Sequence, residues 1–351
     1  MVEIAKAMRH EPRILILDEA TSSLGDAEVR RLFELVRGLR ANGTTVVVIT
    51  HRMHEVWALA DTLTIFRDGR TVAQHGLDEI DRGTAVNLMA GRDVRAIFPA
   101  KRRESGMEPA LELRDVRLRR GQQPWSLTLY RGEILGIGGL QGQGQRHFLH
   151  WLYGDGPGRG EVVRNGRRVN IRRPGDALDH GIVLIPEDRG AEGLHSSLPV
   201  RWNLAMATLR HRAKLGVIEM GAERRMATGY IDRMAIKVGS PFQPASALSG
   251  GTQQKVVVGK YLAADPEVIL FVDSTRGIDV QTKFEFYEML RGLADDGVAC
   301  VLYSSDTEEL VGLCDRVAVF HDGVPARMLE GDDVSQSSVV AASFAVVRET
   351  P

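Results

Sequence analysis

The sequence repeats itself at a constant offset of 254 residues, so that residues 1–69 align with residues 255–323 without a gap. A single register held over predicted strands and helices indicates a duplicated domain rather than chance similarity. Identical residues paired by this register include Pro12 with Pro266, Thr21 with Thr275, Gly43 with Gly297, Glu55 with Glu309 and Asp61 with Asp315. About 145 residues of the same domain precede the second copy, whereas the first copy begins at residue 1 of the sequence as written. The sequence therefore predicts one whole domain behind the tail of another.

Composition is that of a soluble globular protein. The 351 residues are 43% hydrophobic and 26% charged, which is ordinary for two domains with sizeable cores. A formal net charge of -1 argues against general binding of nucleic acid or of membrane surfaces. The two cysteines, Cys300 and Cys314, imply neither a disulfide framework nor a metal site and suit a reducing compartment. No apolar run reaches the ~18 residues of a membrane span, so we expect a cytoplasmic protein that acts at the membrane through a partner.

The first copy has the pattern of a strand, a helix and a second strand. Residues 13–19 are an apolar run closed by Asp18 and Glu19, residues 29–39 carry apolar side chains at helical spacing, and residues 45–49 are a second apolar run. This order is typical of a parallel βαβ unit. We therefore predict an α/β fold.

Composition also suggests the domain boundaries. Residues 96–108 are charged, flanked by prolines and without periodicity, as expected of an interdomain linker. We predict that residues 1–95 are the C-terminal portion of a first domain and that residues 109–338 form a second, complete domain. Residues 339–351 are predicted to be a loose tail.

A glycine-rich segment, residues 139–147, follows a predicted strand and precedes a predicted helix. Glycines at such a place let backbone N–H groups converge on phosphate oxygens, and the helix N-terminus adds a favourable dipole. The same sequence is equally typical of a purely structural turn. We call this segment the phosphate loop.

A second segment, residues 248–254 with the sequence Leu-Ser-Gly-Gly-Thr-Gln-Gln, precedes an apolar helix. Ser-Gly-Gly at a helix start exposes unpaired N–H donors toward an anion, although alone it would be an ordinary helix cap. Roughly twenty residues later comes the apolar run 268–272. Phosphate loop, capped helix and strand in this order resemble the ATP-binding cassette (ABC) ATPases, and we call residues 248–254 the signature segment.

The resemblance narrows to the tandem ATP-binding subunits of bacterial monosaccharide importers of the ribose, galactose and xylose type, and it spans nearly the whole chain. The second copy resembles their second cassette at residues 186–194, 248–255, 273–280 and 304–305, and the first copy resembles their first cassette at residues 1–7, 17–24 and 50–51. It implies a P-loop NTPase-like fold that uses ATP and Mg²⁺, a membrane permease and an extracytoplasmic sugar-binding protein as partners, and a position on the inner face of the cell membrane.

The resemblance also assigns roles to residues. In the first cassette it implies that Asp18 helps to hold Mg²⁺, that Glu19 polarises the attacking water and that His51 senses the γ-phosphate. Two acids at the carboxyl end of a buried parallel strand stand where such sheets bind ligands, although they could merely end the strand, with His51 an ordinary loop residue. The implied nucleotide-binding residues are Gly139, Gly142, Gly144, Gln145, Arg146, His147, Glu187, Ser249, Gly250, Gly251 and Gln253.

The second cassette departs from the hydrolytic pattern at each catalytic position. Gln145 replaces the lysine that reaches the phosphates, and Arg146 replaces the serine or threonine that binds Mg²⁺. Through the repeat, Asp18 corresponds to Val272, Glu19 to Asp273 and His51 to Ser305, and Glu187 stands where the family has glutamine. Together with Asp279 these residues are predicted to form a degenerate site that barely hydrolyses nucleotide.

Cassettes of this family work in pairs, each ATP lying between the phosphate loop of one and the signature of the other. The catalytic site would join a first-cassette phosphate loop, Asp18, Glu19 and His51 to the signature segment of the second cassette. The sequence as written has no such loop before Met1, so we expect a fragment that is inactive alone. One alternative is a non-hydrolytic nucleotide-binding or regulatory module that pairs with an intact cassette. A ribosome-acting tandem ATPase is disfavoured by the short linker and the eroded second site.

We predict that the native protein has a mass of roughly 55 kDa, on the scale of two complete domains. Intact-mass measurement of the native protein, with reading of the gene upstream of Met1, tests the fragment hypothesis. A native mass of 38.7 kDa would contradict it.

Overall fold

The computed structural model describes residues 2–9, 12–21, 26–50, 52–67, 69–90, 98–101, 108–214, 217–278 and 280–344. It divides the chain into one compact unit of residues 1–97 with 277–283, and a second of residues 98–276 with 284–351. The predicted linker lies mostly outside the described residues, and so do residues 345–351. The predicted domain boundaries therefore stay predictions, apart from that of the tail.

The first unit contains the predicted βαβ arrangement. Its strands are β1 (Ile14–Asp18), β2 (Thr45–Ile49), β3 (Thr62–Arg67) and β4 (Arg70–Gly76), and its helices are α1 (Val2–Met8), α2 (Asp26–Ala41), α3 (Met53–Leu59) and α4 (Arg82–Ala90). β1 and β2 pair in parallel, with α2 between them in the chain, and β3 and β4 form an antiparallel hairpin. Leu15 and Leu17 on one face of β1 pack against Leu32 and Val36 of α2.

The described residues of the second unit form two large sheets and a short antiparallel pair of strands. Its strands are β5 (Pro109–Arg117), β6 (Trp125–Tyr130), β7 (Ile134–Gly138), β8 (Arg159–Arg164), β9 (Arg167–Val169), β10 (Ile182–Ile185), β11 (Ala213–Lys214), β12 (Val217–Ile218), β13 (Val268–Val272), β14 (Ala299–Tyr303), β15 (Arg316–His321) and β16 (Val324–Glu330). The main sheet has the order β10-β13-β14-β7-β15-β16 and is parallel except for β16. The second sheet is antiparallel, with the order β6-β5-β8-β9, and the short pair is β11–β12.

Helices and short turns complete this unit. The helices are α5 (Gln145–Tyr153), α6 (Pro174–Asp179), α7 (Val200–Ala205), α8 (Leu209–Arg212), α9 (Met220–Arg233), α10 (Gly250–Leu262), α11 (Val280–Asp295), α12 (Thr307–Leu313) and α13 (Gln336–Phe344). Phe148 and Leu149 of α5 enter the same core as Leu270 of β13 and Val301 of β14. Among the described residues, no helix has both the length and the apolar character needed to cross a membrane.

The repeat seen in the sequence is also a repeat in the structure. Every strand and helix of the first unit from β1 onward has a counterpart with the same bounds plus 254: β1 with β13, β2 with β14, β3 with β15, β4 with β16, α2 with α11, α3 with α12 and α4 with α13. The structural match continues past residue 323 and reaches the ends of α4 and α13. The duplication therefore covers more of the chain than the identical residues indicate.

The C-terminal boundary differs from the prediction. A tail was expected from residue 339, but α13 continues to Phe344, and Val339 and Ala342 are buried. The helix packs against β15, β16 and α12, and Ser335 accepts a hydrogen bond from the Ser338 amide near its first turn (3.2 Å). The tail boundary at residue 339 is therefore wrong, because apolar contacts with the sheet hold this segment in the fold.

One face of the β1–β2 pair is exposed although it is apolar. Ile16 is 63% exposed, whereas its counterpart Leu270 is 0% exposed. Ile14, Val47 and Ile49 are also exposed, and the corresponding side chains of the second unit are all buried. In the second unit this face belongs to the core that includes α5. The first copy therefore exposes an apolar face that its counterpart in the second unit buries.

Equivalent substitutions in the two copies should destabilise their units by different amounts. Leu270→Ala removes a fully buried side chain and should destabilise the second unit by about 3 kcal/mol, whereas Ile16→Ala should change the stability of the first unit by less than about 1 kcal/mol. Urea titration with hydrogen exchange at the β13 and β1 amides measures each unit separately. A large loss for Ile16→Ala would contradict the exposure of this face.

Candidate nucleotide sites

The first unit places Asp18 and Glu19 together at the carboxyl end of β1. Both residues are exposed. Glu19 has a positive φ of 43°, and its amide donates to the Ile49 carbonyl oxygen at 2.9 Å. A positive φ outside glycine is strained and must be held by its surroundings. The chain therefore leaves the strand in a fixed turn at the two acids.

A buried carboxylate fixes the segments around these acids. Glu55 of α3 is 1% exposed and accepts hydrogen bonds from the Thr21 hydroxyl (2.6 Å) and the Thr50 hydroxyl (2.8 Å). The Thr50 oxygen in turn accepts from the Arg52 amide (3.0 Å). His51 itself lies outside the described residues, but its two neighbours are thus anchored.

The second copy contains the same buried carboxylate. Glu309 accepts from the hydroxyls of Thr275, Ser304 and Tyr287, each at 2.7 Å. The repeat register pairs Glu55 with Glu309, but no role was predicted for either residue. Their role could have been predicted, because an acid retained in both copies and followed by apolar residues suggests a buried hydrogen-bond acceptor.

The phosphate loop of the second unit connects β7 to α5. Gly139, Gly142 and Gly144 all have positive φ, at 119°, 84° and 106°. A Cβ atom on Gly144 would lie 2.6 Å from the Gly323 Cα atom, and one on Gly139 would collide with the Phe320 carbonyl oxygen. Gly144 caps α5 without any side-chain hydrogen bond, so the first amides of this helix face no capping side chain.

Gln145 fixes the loop from within. Its side chain is buried, and its Nε2 atom donates to the carbonyl oxygens of Leu140 (2.8 Å) and Gly138 (3.4 Å). The amide is therefore engaged with the backbone of the loop instead of being presented to a ligand as a lysine ammonium group would be. His147, in the first turn of α5, is exposed.

Arg146 is paired with a carboxylate. Its guanidinium group forms an ion pair with Glu187 Oε2, and Arg276 Nη1 lies 2.5 Å from Glu187 Oε1. Glu187 is only 16% exposed. Two arginines thus share one carboxylate beside the phosphate loop, an arrangement that sequence analysis missed because the three residues are far apart in the chain.

The acid at the equivalent turn of the second copy is hydrogen-bonded by neighbouring groups. Asp273 repeats the turn of Glu19, with φ 44° and an amide that donates a hydrogen bond to the Tyr303 carbonyl oxygen. Its side chain also accepts hydrogen bonds from the Ser305 amide (2.9 Å) and hydroxyl (2.9 and 3.0 Å). Burial raises the pKa of Asp273, the Ser305 hydrogen bonds oppose this, and the charges of Glu309 and Glu187 add to the rise. Val272 is buried in the core. The predicted site residue Asp279 lies outside the described residues.

The signature segment begins α10. Ser249 caps the helix, since its Oγ atom accepts from the Thr252 amide (3.4 Å), and Gly251 follows within the first turn. Gln253 instead donates to the Ala245 carbonyl oxygen (3.1 Å). A Cβ atom on Gly250 would lie 2.6 Å from Arg189 Nη2, so glycine here allows a guanidinium group to approach the backbone. Sequence analysis gave Arg189 no role.

Comparison with known proteins agrees with this geometry. The ABC transporter family model matches residues 122–275, which include the phosphate loop and the signature segment. The chain is 44% identical over 348 residues to the ribose import ATP-binding protein RbsA 1 of Rhizobium johnstonii, which covers 98% of this chain and 68% of that protein. The chain belongs to the ABC ATPases of sugar importers.

Further similarities support the family and the fold. The ribose import ATP-binding protein RbsA of Geobacillus kaustophilus is 37% identical over 98% of the chain and 69% of its own length. An ATP-binding cassette of an ABC transporter solved in its ADP conformation has a TM-score of 0.57 at 15% identity, covering 68% of this chain and all of that one. At this identity the likeness shows the fold alone, and it confirms the predicted P-loop NTPase-like α/β class.

In this ABC ATPase, the helix that starts at the signature segment also carries a buried lysine. Lys260 of α10 donates from Nζ to the Gly193 carbonyl oxygen at 2.5 Å and lies over the Tyr261 ring. Desolvation lowers the pKa of Lys260 from its ordinary 10.5 to about 8. Its counterpart in the first copy, Lys6, is exposed.

Lys260 should make stability depend on pH. Below pH 8 the lysine is charged in both states and the folded state bears the full desolvation cost; between about pH 8 and 10.5 only the unfolded chain stays protonated, so stability rises with pH. Lys260→Met should flatten the dependence of urea stability between pH 7.5 and 9.5, and Lys6→Met should leave it unchanged. Parallel curves for wild type and Lys260→Met would contradict the assignment. The raised pKa values of Cys300 and Tyr261 act in the opposite direction and are common to all three proteins.

Proposed function

We propose that this chain is the ATP-binding and ATP-hydrolysing subunit of a monosaccharide import system. One observation carries the proposal. The same strained turn ends an equivalent strand in both copies, and it presents Asp18-Glu19 in the first copy but Val272-Asp273 in the second. On this proposal, hydrolytic chemistry belongs to the first turn and is absent from the second.

Asp18 is the residue that we expect to hold Mg²⁺. Its carboxylate is exposed at the carboxyl end of a parallel strand, and hard oxygen donors of this kind suit the ion. Mg²⁺ is commonly held by one or two carboxylates together with substrate phosphates. When bound, Mg²⁺ would neutralise negative charge on the phosphates.

Glu19 is proposed to accept a proton from the attacking water. Its backbone is fixed by the Ile49 hydrogen bond, and Glu55 anchors Thr21 just after the turn and Thr50 at the end of the neighbouring strand, so the backbone that carries the carboxylate has a defined position. Preorganisation of this kind is where much of the catalytic effect of a general base arises. His51 is proposed to contact the γ-phosphate.

The signature segment would complete this site. Ser249 and the first amides of α10 can donate to phosphate oxygens, as expected at a helix N-terminus. The site would then contain a phosphate loop of the first cassette, Asp18, Glu19 and His51, and Ser249 to Gly251 of the second cassette. ATP bound between them would draw the two cassettes together.

The partners follow from the family. Import ATP-binding proteins act with a membrane permease, and we propose that this chain docks on two copies of one at the cytoplasmic face. ATP-driven closure would open the permease to a sugar delivered by an extracytoplasmic binding protein. The relatives are named as ribose import proteins, so we propose a pentose or hexose as the transported class.

Equivalent substitutions should separate the two copies. In membrane vesicles that contain the native importer, Glu19→Gln should lower ATP hydrolysis by about 10²–10³-fold, since it removes a general base. Asp273→Asn at the equivalent position should lower it by less than about twofold. Phosphate release and sugar uptake are measured together.

Two outcomes would contradict the proposal. Unchanged hydrolysis in Glu19→Gln would favour a non-hydrolytic regulatory module. A loss in Asp273→Asn as large as that in Glu19→Gln would show that the second copy also hydrolyses ATP. Equal amounts of each variant in the membrane fraction provide the assembly control.

A further inference from the structure

We propose that the phosphate loop of the second cassette binds nucleoside di- or triphosphates without Mg²⁺, with the Arg146 guanidinium group in place of the metal ion. The metal that the family implies does not fit this loop. The inference goes beyond the proposed hydrolytic site, because it concerns the other copy and a binding event without turnover.

The ligands that a metal would need are missing or occupied. Val272 replaces the metal-binding acid and is buried in the core. Asp273 accepts hydrogen bonds from the Ser305 amide and hydroxyl, and each oxygen of Glu187 is engaged by an arginine. A divalent cation would have to displace these donors and then lie beside two guanidinium groups, which is electrostatically unfavourable.

The backbone of the loop nevertheless keeps an anion-binding form. Gly142 and Gly144 have positive φ, and α5 starts without a side-chain cap. Successive amides in such a turn make a concave donor site for phosphate oxygens. Gln145 holds this backbone in place through the Leu140 carbonyl oxygen, so the loop does not need a lysine to keep its shape.

Arg146 supplies a positive charge beside this loop. It lies in the first turn of α5, and its side chain is 47% exposed. Glu187 has a second partner in Arg276, so Arg146 can exchange the carboxylate for a phosphate without leaving Glu187 unpaired. Arginine forms strong bidentate hydrogen bonds with phosphate.

The charges at this loop predict whether Mg²⁺ strengthens or weakens nucleotide binding. A free nucleotide brings more negative charge to Arg146 than its Mg²⁺ complex does, and the complexed ion would approach the guanidinium groups. We therefore expect the loop to bind free nucleotide more tightly than the Mg²⁺ complex, the reverse of an ordinary phosphate loop with lysine and serine.

The test is isothermal titration calorimetry of the full chain with adenylyl imidodiphosphate, a non-hydrolysable ATP analogue, in EDTA and in excess MgCl₂. Binding should be present in EDTA and several-fold weaker with Mg²⁺. Arg146→Ser should weaken binding in EDTA about tenfold, and Glu187→Gln, which releases Arg146, should strengthen it. Arg167→Ser, at an exposed position on β9, is the matched control and should change nothing.

Misfolding cannot explain both weaker nucleotide binding by Arg146→Ser and stronger binding by Glu187→Gln. Urea midpoints verify that each variant is folded. Absence of binding in EDTA, a strict requirement for Mg²⁺, or binding unaffected by Arg146→Ser would each overturn the inference. The hydrolysis assay on Glu19→Gln is independent of these outcomes, so failure here and failure of the proposed function are distinguishable.

Discussion

A buried carboxylate holds each copy of the repeated domain together. Glu309 joins the end of β13 through Thr275, the end of β14 through Ser304 and helix α11 through Tyr287. Burial and the adjacent Glu309 charge raise the pKa of Tyr287, so the hydroxyl remains a donor. An unpaired buried carboxylate would be costly, and three hydroxyl donors remove that cost. Glu55 makes the corresponding bonds to Thr21 and Thr50, and the strand-end turns depend on them.

The two copies share this hydrogen-bonded turn at the strand end, but they differ in the side chains that the turn carries. Backbone conformation at Glu19 and Asp273 is the same within a degree of φ, at 43° and 44°, although one residue is exposed and the other is bonded to Ser305. Around the phosphate loop, the polar side chains satisfy one another: Gln145 bonds to loop carbonyl oxygens, and Arg146 and Arg276 pair with Glu187. The side chains at this site therefore form their own set of contacts, which differs from that at the strand end of the first copy.

Much of the fold was predictable from the sequence, because apolar runs and the repeat register are local or periodic signals. The βαβ unit, the strand before the phosphate loop and the capped α10 helix all follow such signals. The Arg146, Glu187 and Arg276 cluster was not predictable, since three charges distant in sequence give no pattern until the fold brings them together. The end of the C-terminal helix was missed for a related reason, since its packing on β15 and β16 distinguishes it from a loose tail.

The exposed face of β1 and β2 has a consequence for the behaviour of this chain in solution. Within the described residues, this two-stranded sheet has no third strand on either side, and its open face carries Ile14, Ile16, Val47 and Ile49. Unpaired strand edges next to an apolar face are templates for pairing with other chains. Self-association should therefore begin at the first unit and grow with concentration, and a detergent or a covering polypeptide should suppress it while leaving the second unit unaffected.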